Sequence, residues 1–156
     1  MTSGLRHFDH VTVAVRDLDG ARRFFALLGF REERAVVIAG APFDGYMGVP
    51  GIEADHVTLV HETASPRLEI QLLRYRRPAP YTGNDPTRLD ALGYNHVCFA
   101  VDDVDAELAR LAAAGLAPKS GVLDFHDRKL VFLTGPEGIT VELAQWSRED
   151  GGSAPR

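Results

Sequence analysis

Residues 10–19, HVTVAVRDLD, and residues 96–105, HVCFAVDDVD, repeat one pattern within the chain. In each copy a histidine opens a run of β-branched, apolar and aromatic residues, and two aspartates at matching positions follow the run. β-Branched and aromatic residues are typical of strands, whereas a short carboxylate accepts hydrogen bonds from the free amides that begin a helix. The pattern therefore predicts a strand followed by a helix at two places in the chain.

The similarity continues beyond the quoted residues at the same offset. Ala26 matches Ala112 and Gly29 matches Gly115, which brings the number of coinciding positions to eight. Glycine adopts the left-handed conformation that commonly ends a helix, so each predicted helix ends at one of these glycines. The candidate N-caps are Asp17 or Asp19 in the first copy and Asp103 or Asp105 in the second.

Three short extended runs follow each predicted helix, at residues 34–38, 56–61, 67–75, 119–125, 129–134 and 139–146. Pairs of Gly, Pro and Ser residues separate these runs and indicate turns. Each half of the chain is thus predicted to contain a strand, a helix and three further strands. We call these halves module 1, about residues 7–75, and module 2, about residues 94–146.

We expect the 156 residues to form a single domain. The connection, residues 76–93, is rich in Pro, Tyr, Asn and Asp and is predicted to carry a short helix at 86–92, and a tail at 147–156 follows module 2. One module alone would bury too little of its sheet. The predicted fold class is therefore α+β, with two tandem βαβββ modules forming one curved mixed sheet around a cleft that can hold a ligand. A ferredoxin-like α+β sandwich with accidental repetition is the alternative.

The composition favours a globular protein that acts on a small molecule. Hydrophobic residues make up 45% of the chain and charged residues 25%, which is typical of globular domains. The net charge of −5 offers no basic surface for nucleic acid, and no apolar run is long enough to span a membrane. The N-terminal residues lack an apolar signal segment, and Cys98 is the single cysteine, so we expect a cytoplasmic location.

Each half offers a histidine at the start of its first strand, His10 or His96, and a glutamate in its last strand, Glu69 or Glu142. A carboxylate among apolar strand residues needs a partner, because burying it alone is costly. Glu69 also shares one strand face with Gln71. Singly, each of these residues would be an ordinary core or surface residue. Together they predict one divalent ion, since imidazoles and carboxylates suit Ni, Co, Mn, Fe or Zn.

Five apolar or aromatic residues lie in predicted loops or strand ends and are candidates for the substrate pocket, with ordinary packing as the alternative. They are Phe43, Tyr46, Met47, Phe125 and Trp146. Residues 46–51 contain two glycines and a proline, and we expect a mobile loop that covers this pocket. The basic run at residues 74–77 is expected to be a solvated edge, with binding of a substrate anion as the alternative.

On these segments, together with LEI at 68–70 and GPEGITVEL at 135–143, the chain resembles the vicinal oxygen chelate superfamily. This superfamily includes glyoxalase I, methylmalonyl-CoA epimerase, fosfomycin-resistance transferases, extradiol dioxygenases and bleomycin-resistance proteins. The resemblance runs from about Phe8 to Trp146. The ligand pattern is most similar to that of glyoxalase I, and to that of the epimerase, which often has Gln in place of the first Glu. Members commonly pair, so a homodimer is expected.

The resemblance to the epimerase implies a glutamate base before the first carboxyl or amide ligand. Glu53, sixteen residues before Glu69, is the candidate, with a solvated loop residue as the alternative. A ligand that leaves the ion, Glu142 or Glu69, is a further candidate base. The implied function is a metal-dependent isomerase or lyase that forms an enolate beside a carbonyl or thioester. The alternatives are an Fe(II) extradiol-type dioxygenase and a non-catalytic small-molecule binding or resistance protein.

Overall fold

The computed structural model of the protein describes residues 6–90, 94–125 and 127–147. The chain divides into two compact units, Met1–Thr82 and Gly83–Arg156. Each unit holds one predicted module, so we describe the modules separately. None of the helices in the described ranges is both long enough and apolar enough to cross a membrane.

Module 1 contains β1 (His10–Ala14), α1 (Leu18–Leu27), β2 (Phe30–Ala39), α2 (Ala41–Met47), β3 (Glu53–His61) and β4 (Glu69–Arg77). Its strands form one mixed sheet in the order β1-β4-β3-β2. β1 and β4 run parallel, and the other neighbouring strands run antiparallel.

Module 2 contains β5 (His96–Ala100), α3 (Val104–Ala113), β6 (Leu123–Phe125), β7 (Arg128–Thr134) and β8 (Thr140–Trp146). Its sheet has the order β5-β8-β7-β6, with β5 and β8 parallel. The tandem βαβββ order is confirmed. In the described residues, however, the strands form two four-stranded sheets, one in each module, instead of the single mixed sheet that we expected.

The two longer helices begin and end where the sequence indicates. Asp17 caps α1 and Asp103 caps α3, and each carboxylate accepts from the backbone amide three residues later, at 2.8 Å and 3.0 Å. Gly29 and Gly115 follow the helices with φ of 88° and 86°. Both glycines therefore occupy the left-handed conformation that the helix ends require.

Each helix covers one face of its own sheet. In module 1, Phe25 of α1 and Ile70 and Leu72 of β4 are fully buried. In module 2, Leu111 of α3 and Val141 of β8 are fully buried as well. Because side chains alternate along a strand, the polar residues between these apolar ones lie on the face that the helix leaves uncovered.

Two local expectations differ from the structure, and a third lies almost entirely outside the described residues. Residues 41–47 form a helix and not part of a long loop, with Gly40 as N-cap and a proline in the first turn, as is common at helix starts. In the connection, residues 86–90 form turns and no helix, and 91–92 lie outside the described residues. Of the predicted tail, all residues after Ser147 lie outside them too.

Candidate functional site

β1 and β4 bring His10 and Glu69 together in module 1. Both residues open their strands, and they are direct partners in the parallel register. His10 Nδ1 lies 4.0 Å from Glu69 Oε2 and 2.6 Å from Asp9 Oδ1. The donor atoms of Asp9, His10 and Glu69 all lie within 4.8 Å of one another. This end of the sheet therefore carries a cluster of nitrogen and oxygen donors.

Both carboxylate oxygens of Glu69 accept hydrogen bonds from other side chains. Oε1 accepts from Arg67 Nη2 at 2.8 Å, and Oε2 accepts from Gln71 Nε2 at 2.9 Å. Burial opposes the charge on Glu69, but the hydrogen bonds from Arg67 and Gln71 outweigh it and lower the pKa of this carboxyl below its usual value. Glu69 is therefore an ionised group whose two oxygens are engaged by neighbouring side chains.

Gln71 follows two residues later on the same face of β4. Its Oε1 accepts from Thr12 Oγ1 at 3.3 Å and lies 3.1 Å from His56 Nε2. Gln71 thus presents an amide oxygen on the face that also carries His10. Neither Thr12 nor His56 is a site residue predicted from the sequence.

β5 and β8 bring His96 and Glu142 together in module 2, in a different register. His96 pairs with Thr140, and Glu142 pairs with Cys98 two residues further on. His96 Nε2 lies 3.8 Å from Glu142 Oε1, and the Glu142 side chain is only 13% exposed. The ring of Phe132 contacts the His96 ring edge-on, with centroids 5.4 Å apart. This module therefore also offers an imidazole beside a shielded carboxylate.

Cys98 lies next to this pair. Burial is the main reason why the pKa of its thiol is raised to about 12, and the neighbouring Glu142 carboxylate adds to the effect. The thiol is therefore protonated at neutral pH in this arrangement.

The strand registers show that the two glutamates are not equivalent. The residue opposite the histidine is Glu69 in module 1 and Thr140 in module 2. Two positions further along the last strand are Gln71 in module 1 and Glu142 in module 2. The two glutamates therefore occupy different places in their modules, and Gln71 is the counterpart of Glu142.

Sequence reasoning missed Gln71 because local patterns treat Gln71 and Glu69 alike. Each polar residue has an apolar residue on either side in β4, as Glu142 has in β8. A constant offset relates the first strands and helices of the modules but not the last strands, because the segments before those strands differ in length. Only the pairing of β4 with β1 distinguishes the two positions.

The register does not bring the candidate base Glu53 to His10. Glu53 pairs with Arg77, which follows Glu69 by eight positions in β4, or about 26 Å at the usual rise of a strand. Its carboxylate forms ion pairs with Arg77 at 2.7 Å and with Arg76 at 3.5 Å. The basic run at 74–77 therefore contacts carboxylates of its own module at the opposite end of the sheet.

The pocket candidates of module 1 all lie on α2. Phe43 is partly exposed, and Tyr46 is 85% exposed. Met47 packs against the apolar end of the face that carries Gln71, a cluster of Ile38, Ile52, Ala54 and Leu73. In this structure Met47 thus covers apolar residues of the sheet, whereas Tyr46 extends into solvent.

The pocket candidates of module 2 lie at its sheet edge and at the end of its last strand. Phe125 in β6 is 47% exposed, and Trp146 ends β8 and is 40% exposed. The Arg128 guanidinium lies 4.6 Å from the centre of the Trp146 ring, a cation–π contact. Trp146 therefore has a stacking partner within its own module.

A cavity of about 370 Å³ in module 1 lies away from these donors. It is lined by α1, the start of β2 and Leu59 of β3. Leu59 pairs with Ile70, on the face opposite that of Glu69. This cavity is therefore not part of the donor cluster.

The donors present fit a first-row divalent ion. Each module has an imidazole nitrogen within 4.0 Å of a carboxylate oxygen, and Gln71 adds a neutral oxygen. Mixed nitrogen and oxygen ligands without thiolate suit Ni, Co, Mn, Fe and Zn.

Comparison with known proteins gives matches over both modules. The sequence model of the family described as "Glyoxalase/Bleomycin resistance protein/Dioxygenase superfamily" matches residues 7–143. YaeR of Escherichia coli (strain K12) is 24% identical over 142 residues, which cover 90% of this chain and 96% of YaeR.

Two further matches carry glyoxalase names. Lactoylglutathione lyase of Schizosaccharomyces pombe is 26% identical over 144 residues, 88% of this chain and 44% of that enzyme. This chain therefore spans less than half of the yeast enzyme. The crystal structure of the glyoxalase family protein APC24694 from Bacillus cereus superposes with a TM-score of 0.81 at 26% identity, covering 94% of this chain and 97% of that one.

Proposed function

The chain belongs to the Glyoxalase/Bleomycin resistance protein/Dioxygenase superfamily, and we propose that it is a metal-dependent lyase or isomerase of the glyoxalase type. Its substrate is a small molecule with an acidic C–H bond beside a carbonyl or thioester. The observation that carries this proposal is the imidazole–carboxylate contact found in both modules, at 4.0 Å and 3.8 Å. We further propose that the whole chain acts as one domain.

We assign one divalent ion, Ni, Co, Mn, Fe or Zn, to four ligands. His10, His96 and Glu142 supply three of them. The fourth comes from β4, where the sequence suggests Glu69 and the structure adds Gln71 as a second candidate. One observation favours Gln71: it corresponds to Glu142 by strand register.

When bound, the ion supplies Lewis-acid stabilisation of the negative charge that develops on a substrate oxygen. Once its carboxylate has left the ion on substrate binding, Glu142 acts as the base that removes the proton beside the carbonyl, and it returns the proton to the other face or to the next carbon. Its side chain is shielded, so few water molecules compete for its oxygens. Glu53 is less suited to this role, because Arg76 and Arg77 neutralise its charge.

The test combines metal analysis with proton exchange in the full, untagged chain. We expect one equivalent of ion in the wild type, and loss of that ion in both His10→Ala and His96→Ala. His7→Ala, which removes an exposed histidine, is the control. If each module held its own ion, either variant would lose only half of the metal. A wild type that stays metal-free after incubation with each of the five ions would refute the proposal.

Proton exchange is measured by NMR in deuterated water. S-Lactoylglutathione, the compound named in the yeast relative, is one probe, and a methylmalonyl thioester is another. We expect deuterium to replace the proton beside the carbonyl in at least one probe, and Glu142→Gln to abolish this exchange. If the metal-loaded protein exchanges the proton beside the carbonyl in neither probe, the lyase and isomerase proposal fails.

One observation favours a second function, that of an Fe(II) oxygenase. The register-equivalent positions hold His10, His96 and a single carboxylate, Glu142, with the neutral Gln71 as the fourth group. Two histidines and one carboxylate are typical of non-haem Fe(II) oxygenases. Oxygen uptake by the iron-loaded protein with a catechol, without exchange of carbonyl-adjacent protons, would select this function.

We also propose a homodimer located in the cytoplasm. Similarity to a family whose members commonly pair supports the dimer. Light scattering after gel filtration is expected to give twice the chain mass of 17.1 kDa. A mass equal to that of one chain would contradict the dimer and leave the metal proposal unaffected.

A further inference from the structure

We propose that Arg67 and Glu69 form a positioning chain that orients the amide of Gln71 so that its oxygen, and not its nitrogen, is offered as a ligand. The inference rests on the proposed metal site, and it concerns what holds one ligand in place. It gives Glu69 the part of a positioning residue behind Gln71.

The two ends of a glutamine amide have nearly the same shape, but only the oxygen is an acceptor. Rotation of the amide by half a turn would therefore exchange a good ligand for a poor one. In the structure, Gln71 Nε2 donates to Glu69 Oε2 at 2.9 Å, and Gln71 Oε1 lies toward Thr12 and His56. An ionised carboxylate can only accept hydrogen bonds, so Glu69 selects the nitrogen end of the amide.

Arg67 holds Glu69 in turn. Its Nη2 donates to Glu69 Oε1 at 2.8 Å, and its Nη1 donates to Glu33 Oε1 at 3.0 Å. Glu33 lies on β2 and Glu69 on β4, the two strands that flank β3. The planar guanidinium therefore joins two carboxylates across one strand, and it leaves the second oxygen of Glu69 free for Gln71.

The corresponding position in module 2 does not need such selection. Glu142 is a carboxylate, and both of its terminal atoms are oxygens. Rotation of this carboxylate by half a turn would still present an oxygen to the ion. The positioning chain thus occurs in the module where the ligand candidate is an amide.

The two possible roles of Glu69 predict opposite effects of removing Arg67. If Glu69 were itself the ligand, Arg67 would compete with the ion for Oε1, and its loss would tighten metal binding. In a positioning chain, loss of Arg67 lets Glu69 turn away, which loosens the amide and weakens metal binding. The sign of one change therefore separates the two roles.

The experiment measures Co²⁺ affinity and the visible Co²⁺ spectrum in the full chain. Arg67→Met is expected to weaken binding by about 10-fold, at the lower end of the range for groups that orient ligands. Arg23→Met removes the same charge from an exposed position on α1, beyond the other face of the sheet, and is the matched control. We expect its affinity to stay within about twofold of the wild type, since the effect of a distant exposed charge is screened.

Variants of the two β4 residues complete the test. Glu69→Gln keeps one oxygen that can accept from Gln71, so it should bind Co²⁺ more tightly than Glu69→Ala. At saturating Co²⁺, the Glu69→Ala spectrum should match that of the wild type because the ligands are unchanged, whereas Gln71→Ala should alter it.

Three outcomes would overturn the inference: tighter Co²⁺ binding in Arg67→Met, an altered spectrum in Glu69→Ala, or an unaltered one in Gln71→Ala. Wild-type protein that binds no Co²⁺ would instead refute the proposed metal site, and the inference with it. Far-UV circular dichroism of each variant identifies any loss of folding, and the near-isosteric Glu69→Gln keeps the test valid if Glu69→Ala does not fold.

Discussion

The last strand of module 1 begins with Glu69 and that of module 2 begins with Thr140, and each residue lies opposite the histidine of its module. A basic side chain holds each of them. Arg67 donates to Glu69 at 2.8 Å, and Lys119 Nζ donates to Thr140 Oγ1 at 2.9 Å. At this position the two modules share a hydrogen-bonded acceptor, although only module 1 has a carboxylate there.

The difference reverses two residues further along the same strands. Module 1 has the amide of Gln71, whereas module 2 has the carboxylate of Glu142. Matching sheets can therefore present different donors at matching positions, because the fold depends on the apolar face under the helix and places few demands on the other face. The comparison places a neutral amide in module 1 and a charged carboxylate in module 2.

Exchanging these two residues should have the largest effect. Glu142→Gln is expected to lower the rate of proton exchange by at least about 100-fold, since a general base commonly contributes that much. Gln71→Glu should retain exchange and bind metal more tightly. The rates are measured by NMR and the affinities by titration calorimetry. If the double variant exchanged protons as fast as the wild type, the two positions would be interchangeable and the comparison would fail.

Core truncation tests whether the modules are energetically separate. Phe25→Ala in module 1 and Leu111→Ala in module 2 each remove a fully buried side chain and should lower the free energy of unfolding by about 3–5 and 2–5 kcal/mol. Trp146, the single tryptophan, reports on module 2. If the chain is one domain, Phe25→Ala shifts the urea transitions seen by circular dichroism and by tryptophan fluorescence equally. A shift in circular dichroism alone would show independent unfolding.

Removal of a helix cap should lower the free energy of unfolding by less than core truncation does, and by the same amount in the two modules. Asp17→Ala and Asp103→Ala each remove a carboxylate that accepts from a first-turn amide, at a cost of about 1 kcal/mol. Asp19→Ala, which leaves the cap intact, is the control. Urea denaturation provides the values. A difference of more than about 1 kcal/mol between the cap variants would mean that the caps are not equivalent.

The smallest effect concerns an ion-pair network in module 1. Hydrogen bonding to Arg76, followed by that to Arg74, lowers the pKa of Asp55 below its usual value of 3.8. Its stabilising contribution is therefore present above that value and is lost as the pH falls through the lower pKa of the folded state.

The unfolding free energies of wild type and Asp55→Asn, measured by urea denaturation, should therefore converge on acidification, by less than about 1 kcal/mol. Asp105→Asn removes a more exposed carboxylate, paired with Lys129 in module 2, and should show a smaller change. A gap that widened at low pH would contradict the assigned sign.

The sequence predicted the fold better than the site. The strands, the two longer helices, their caps and their terminal glycines follow from residues that are neighbours in the chain. His10 and His96 were chosen as candidate ligands because the repeat marks them at a constant offset. Helix α2 was missed because its seven residues include one proline and one glycine beside apolar residues. The same composition is common in loops.

By itself, the sequence determined two βαβββ modules with a histidine at the head of each, because strand period, helix caps and left-handed glycines are local properties. Only the tertiary structure decided that Gln71 corresponds to Glu142, that Arg67 engages Glu69, and that Glu53 lies among arginines at the far end of its sheet. Strand register is the physical reason. It is set by the packing of residues distant in sequence, and a shift of two residues leaves the alternation of polar and apolar side chains unchanged.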